Sequence, residues 1–103
     1  MSDEAESVDD LSYEWEEEGR LVRRELARRV LSRGSWPTVM YLYQELDTAT
    51  DAWRPAKVAI VRYQSRQGRL RRHAAIALDG TKAREMVEAI GGWLERMGES
   101  EEE

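Results

Sequence analysis

Apolar and polar residues change their spacing several times along the chain, and each change marks an element. From Tyr13 to Arg33, Trp15, Val22, Leu26 and Val30 recur at intervals of seven, four and four, the repeat of one narrow helical face. Glu14, Glu16, Glu17 and Glu18 lead that stretch, and Arg28, Arg29 and Arg33 close it, a polarity that suits the helix dipole. Gly34, Ser35 and Pro37 then supply a stop, so the spacing predicts a helix over about residues 13–33. Beyond it the period drops to two. TVMYLYQEL predicts a strand over about 38–46, KVAIVRYQ a second over 57–64, and RLRRHAAIAL a third over 69–78. DTATDAWRPA reads as the loop between the first two, and Ser65–Gly68 as the turn before the third. Asp79 is suited to cap a helix over about 80–97, whose stripe is Ala83, Met86, Val87, Ile90, Trp93, Leu94 and Met97. The expected class is α+β: an N-terminal helix, a curved antiparallel meander of three to four strands, and a C-terminal amphipathic helix.

Alternation also sorts the strand residues into two faces. Met40, Leu42, Leu46, Val58, Ile60, Leu70, Ala74, Ile76 and Leu78 form the apolar one, expected to pack on the C-terminal helix. The opposite face then carries Tyr41, Tyr43, Lys57, Tyr63, Arg69, Arg71 and His73, with Arg66 on the adjoining turn and Trp53 and Arg54 on the preceding loop. Arg62 and Arg72 fall on the apolar parity, which places them at a sheet edge or signals a slip of one residue.

Charge sharpens this picture. The 103-residue chain has net charge −5, yet residues 1–19 hold nine acids and no base, whereas residues 20–72 hold thirteen Lys/Arg against four acids. Residues 73–103 return to eight acids against three bases. Between Lys57 and Leu78 there are six Lys/Arg, one His and no acid. A face made only for solubility mixes signs, so this segregation points to a basic working surface between acidic ends. Residues 1–12 and 98–103 are expected to be disordered acidic tails around a single domain, 13–97; the first could fold back over the basic centre and compete with phosphate.

Cations hold phosphates, and flat rings stack on unpaired bases. Rings and cations emerging together from one sheet face favour single-stranded DNA or RNA over duplex, whose base faces are hidden. Tyr41, Tyr43, Tyr63 and Trp53 are the expected stacking groups; Arg54, Lys57, Arg66, Arg69 and Arg71 the phosphate ligands, with His73 beside them. The competing expectation is a protein-interaction module whose basic face and N-terminal helix dock an acidic partner.

With IVRYQ in the second strand and HAAIAL closing the third ahead of the helix, residues 36–97 resemble the transcriptional coactivator family of positive cofactor four and its bacterial relatives. In IVRYQ, Arg62 stands where the family has its strand-two Arg, and in HAAIAL, Ile76 and Leu78 match the family's Ile and Leu ahead of the helix. Ala75, Ala77 and Tyr63 replace the motif Gly, Ser and Glu, and DTATDAWRPA replaces the family's glycine-lysine turn. The family also lacks a counterpart of the stretch Glu14–Arg33. The resemblance implies a homodimer joined through the C-terminal helix, single-strand binding with little sequence preference, and contact with the transcription machinery. Independently, the wide stripe of Met86, Ile90, Trp93, Leu94 and Met97 exceeds what three short strands cover, which makes it the expected dimer interface.

Other chemistries find little footing. The chain has no Cys and one His, so no metal site of ordinary ligand spacing can be assembled. No Ser-His-acid grouping or glycine-rich phosphate loop is present, and Gly91-Gly92 lies within a helical pattern, so neither enzyme activity nor a cofactor is expected. The acidic N-terminus is unlike a signal peptide, and no apolar run is long enough to span a bilayer, which predicts a cytoplasmic protein without membrane partners.

Overall fold

The computed structural model describes residues 7–98. The expected disorder of residues 1–6 and 99–103 lies outside them. Six strands form one curled antiparallel sheet: β1 (Trp15–Glu17), β2 (Arg20–Ser32), β3 (Thr38–Asp47), β4 (Ala52–Trp53), β5 (Lys57–Arg66) and β6 (Arg69–Leu78). Their order is β1-β2-β3-β5-β6, with the two-residue β4 paired to β3. One helix, α1 (Gly80–Trp93), follows and tightens into a 3-10 turn at Leu94–Met97.

The N-terminal helix does not exist; β1 and β2 take its place as a hairpin. An interval of four is even, so the spacing of Val22, Leu26 and Val30 is shared by a helix and by one face of a strand. Glu18 and Gly19, at φ 53° and 78°, make the two-residue turn that reverses the chain. Gln67 and Gly68, at 54° and 75°, do the same between β5 and β6. Positive φ at both positions is the geometry of the tight hairpin turn, and it matches the strands' own twist. Once β3 offers a partner edge, the mixed residues of β2 pair along almost its whole length, from Arg23↔Glu45 to Ser32↔Thr38.

The second correction concerns which face is covered. The core lies under the odd-numbered residues of β3 and β5: Val39, Tyr41, Tyr43, Ala59, Val61 and Tyr63 are all buried. Its lid is not a helix but a strap, residues 7–13, from which Val8, Leu11 and Tyr13 insert. The strap opens with a 3-10 turn at Val8–Asp10 capped by the Ser7 side chain. Much of the segment expected to be a disordered tail is thus core. The even face, expected to carry α1, is left open.

Candidate nucleic-acid interface

Tyrosine stacks on tyrosine beneath the strap. The Tyr13 and Tyr41 rings lie parallel with centroids 4.6 Å apart, and Tyr43 meets Tyr13 edge-on at 5.0 Å. The hydroxyls of Tyr41 and Tyr63 share a hydrogen bond of 2.8 Å. Cations surround this cluster: Arg23 stands 4.1 Å over the Tyr13 ring, and Arg28 5.4 Å over that of Tyr41. The same arginines secure the strap's backbone. Arg28 donates to the carbonyls of Val8 (3.0 Å) and Leu11 (2.5 Å), Arg23 to that of Tyr13 (2.8 Å), and the Tyr13 N–H donates to Glu25 (3.1 Å). Glu25 and Arg28 are themselves ion-paired at 2.8 Å, which raises the Arg28 pKa further above its ordinary range against the opposing effect of burial. Burial lifts the pKa of both Tyr41 and Tyr43 above the ordinary tyrosine value.

Tyr41, Tyr43 and Tyr63, at 1%, 3% and 2% exposure, therefore cannot stack on a base. Nor do they share a face with Arg69 and Arg71. His73 is the extra residue of a β-bulge: Arg62 pairs with Ala74 and Tyr63 with Arg72, leaving His73 unmatched. That insertion reverses the parity of the first half of β6. Leu70 turns inward to the core, and Arg72 reaches the Tyr13 ring, its guanidinium 5.5 Å from the centroid. The awkward parity of Arg72 is thereby explained.

The remaining expected ligands separate into two groups. At one end, Arg24 lies 4.2 Å over the half-buried Trp53 ring, and Arg54 pairs with Asp47 at 3.5 Å. Lys57 lies toward the same end, half-buried opposite Tyr43. At the other end the β5–β6 hairpin gathers its cations on the open face. Arg66 pairs directly with Arg69 and Gln64 with Arg71, and directly paired residues share a face. Arg66, Gln67, Arg69 and Arg71 line an open concavity of about 490 Å³. Arg62, on the same side of β5, lies 4.5 Å over the ring of Trp36, which also meets His73 edge-on at 4.8 Å.

Trp36 and Arg62 are the functional candidates that sequence reasoning missed. Trp36 precedes Pro37 in what reads as a loop. Yet the Ser35 and Pro37 carbonyls accept from the N–H groups of Ser65 and Tyr63, and this continues the sheet and fixes Trp36 beside β5. The parity conflict at Arg62 was the available signal. Of the expected dimer stripe, Met86 is half-buried, while Ile90, Trp93, Leu94 and Met97 are exposed.

Among the described residues no group of three or more acidic, His or Cys side chains could hold a metal, and no helix is long and apolar enough to cross a membrane. Comparison with known proteins adds nothing to this geometry: no family model matches the chain, and no curated protein or solved structure does.

Proposed function

We propose that this chain binds single-stranded nucleic acid through the open end of the β5–β6 hairpin, without catalysis. Arg62, Arg66, Arg69 and Arg71 hold phosphates, and Trp36, 38% exposed and flanked by Arg62 and His73, supplies the ring on which a base stacks. The reading is carried by one observation: Arg66 directly faces Arg69 across a hairpin that contains no acid. Planar guanidinium groups gathered on one face are suited to hold the phosphates of a polyanion. The tyrosine face expected from the sequence has no part in it, and neither has the missing N-terminal helix of the protein-docking alternative. A cytoplasmic setting near transcription or DNA processing, as the resemblance to positive cofactor four suggests, fits such binding.

The test is a fluorescence-anisotropy titration with a dT oligonucleotide and its duplex at two salt concentrations. Saturable, salt-sensitive binding that prefers the single strand is expected. Trp36→Ala should weaken it by about 1–3 kcal/mol, the usual worth of one stacked base. Binding indifferent to Trp36 and equal for duplex would reject the stacking role. Preference for an acidic polypeptide over the oligonucleotide would transfer the surface to a protein partner.

A further inference from the structure

We propose that the mouth of the curled sheet, away from the hairpin tip, is a second binding site that takes a nucleoside monophosphate whose base carries an amino group. The strap fills the inner face only as far as Tyr13, over Tyr41 and Tyr43. Next to Tyr13 an open cleft of about 560 Å³ remains, within the usual range of about 300–1,000 Å³ for small-molecule sites. Trp15, Glu17, Arg23, Glu45, Arg54 and Arg72 line it. They come from β1, β2, β3, the β4–β5 connection and β6.

Pairing and curl together build this cluster. Trp15 pairs directly with Arg23, and Arg23 with Glu45, so the three stand in one row across β1, β2 and β3. The backbone N–H of Arg54 donates to the Glu45 carbonyl at 2.8 Å, which brings a second arginine to the end of that row. Its side chain is exposed at the rim, 3.5 Å from Asp47. The third arginine arrives from the other half of the sheet. The bulge at His73 turns Arg72 inward, and the guanidinium groups of Arg72 and Arg23 both stand over the Tyr13 ring, at 5.5 and 4.1 Å. Arg23 also donates to the Tyr13 carbonyl at 2.8 Å, so the strap holds this cation in place before any ligand arrives.

The lining selects the ligand. Guanidinium forks match the oxygens of a phosphate, and the half-buried Trp15 offers a flat ring to a base. Two carboxylates, Glu17 and Glu45, set this cleft apart from the hairpin concavity, which is lined by Arg66, Gln67, Arg69 and Arg71. Ionised carboxylates only accept hydrogen bonds, so they repel a ligand that is anionic throughout and welcome an amino group. Glutamate accepts from the amino group of cytosine in this way. One phosphate at the arginines and one amino-bearing ring between Trp15 and Glu45 therefore satisfy both signs of charge. Uracil turns a carbonyl oxygen toward the carboxylate instead. The cleft shares no residue with the hairpin tip, so it stands whether or not the tip binds single strands.

Isothermal titration calorimetry of the full chain with cytidine, guanosine and uridine monophosphates and with inorganic phosphate tests the assignment. The cytidine and guanosine nucleotides should bind, the uridine nucleotide about tenfold more weakly, and phosphate alone more weakly still. Arg54→Ala should lower affinity for cytidine monophosphate about tenfold, as loss of a charged hydrogen bond does, and leave binding of a dT oligonucleotide as it is. Glu45→Gln should abolish the preference for cytidine over uridine, because an amide both accepts and donates; a general disturbance of the fold would weaken both alike. The unaltered chain gives a further reading that needs no variant: its melting temperature should rise more with the cytidine than with the uridine nucleotide at equal concentration. Absence of binding, or equal affinity for the two nucleotides, overturns the proposal. So does binding that falls with Trp36→Ala and not with Arg54→Ala, which would place the nucleotide at the hairpin tip.

Discussion

The Tyr41 and Tyr63 hydroxyls, 2.8 Å apart in a water-excluded layer, show how one atom decides between core and binding surface. Tyrosine is amphipathic, and the sequence does not reveal whether its ring faces a ligand or a neighbouring ring. Here Tyr13 takes the stacking position on Tyr41, with carbonyls of the same strap meeting Arg28, so the chain satisfies its own rings and cations. The buried hydroxyl pair carries a testable cost. Tyr41→Phe removes one net hydrogen bond and should lower the unfolding free energy by about 1 kcal/mol in urea titration. The pH profile follows from the raised pKa of Tyr41 and Tyr43, each caused first by burial. A group whose folded pKa lies above its unfolded value stabilises fully below the unfolded pKa, 10.0 for tyrosine, and that contribution is lost as pH rises through the folded one. Stability should therefore hold level as pH approaches 10.0 and decline above it, less steeply in Tyr41→Phe. A decline of equal steepness in the variant would remove Tyr41 as the cause.

At the scale of elements, the strap and β2 hold the main lessons. Tyr13, Leu11 and Val8 close the core from outside the sheet, so Tyr13→Ala should cost about 3–5 kcal/mol, the range for deleting a large buried ring, in the same denaturation experiment. An unchanged midpoint would mean that the strap is decoration and the tyrosines are covered by something else. The alternation of Val39, Tyr41 and Tyr43, and of Ala59, Val61 and Tyr63, was legible, because a period of two has no helical counterpart. So was Asp79 as the helix cap. The helix expected at Tyr13–Arg33 was not refutable from spacing alone, since its interval of four serves both periods, and the bulges between Glu25 and Ala27 and between Val30 and Ser32 blur the strand pattern further. The inner and outer faces were exchanged for a related reason. Both are apolar enough to be core, and only the strap, whose acidic composition reads as solvated tail, decides which one is closed first. The bulge at His73 finished the confusion by moving Arg69 and Arg71 to the side away from Tyr63. A one-residue insertion leaves no mark on composition, and only the awkward parity of Arg72 betrayed it.

For the molecule as a whole, a radius of gyration of 15.8 Å, against about 13 Å for a compact domain of this length, describes a thin sheet with a projecting helix. Such a shape separates its charges. The acidic strap pairs Asp9 with Arg33, and Asp51 pairs with Arg20, so acids and bases neutralise one another around β2 and the β3–β4 turn. The hairpin tip, drawn from a segment without a single acid, gathers Arg66, Arg69 and Arg71 at the far end of the sheet. Screening then becomes the decisive probe, because counterion release counts phosphate contacts without needing to know the bases involved. Four arginines, Arg62, Arg66, Arg69 and Arg71, should give a slope of log affinity against log salt of roughly −2.8, at about −0.7 per single-strand phosphate. Arg66→Ala and Arg69→Ala should each make that slope shallower by about 0.7. Arg54→Ala, altering a residue paired with Asp47 at the opposite end, should leave it unchanged. Trp36→Ala should lower affinity at every salt concentration while keeping the slope, since a stacked ring releases no ions. A slope that responds to Arg54 and not to Arg69 would move the polyanion to the Trp53 end of the sheet and leave the hairpin arginines as a solvated edge.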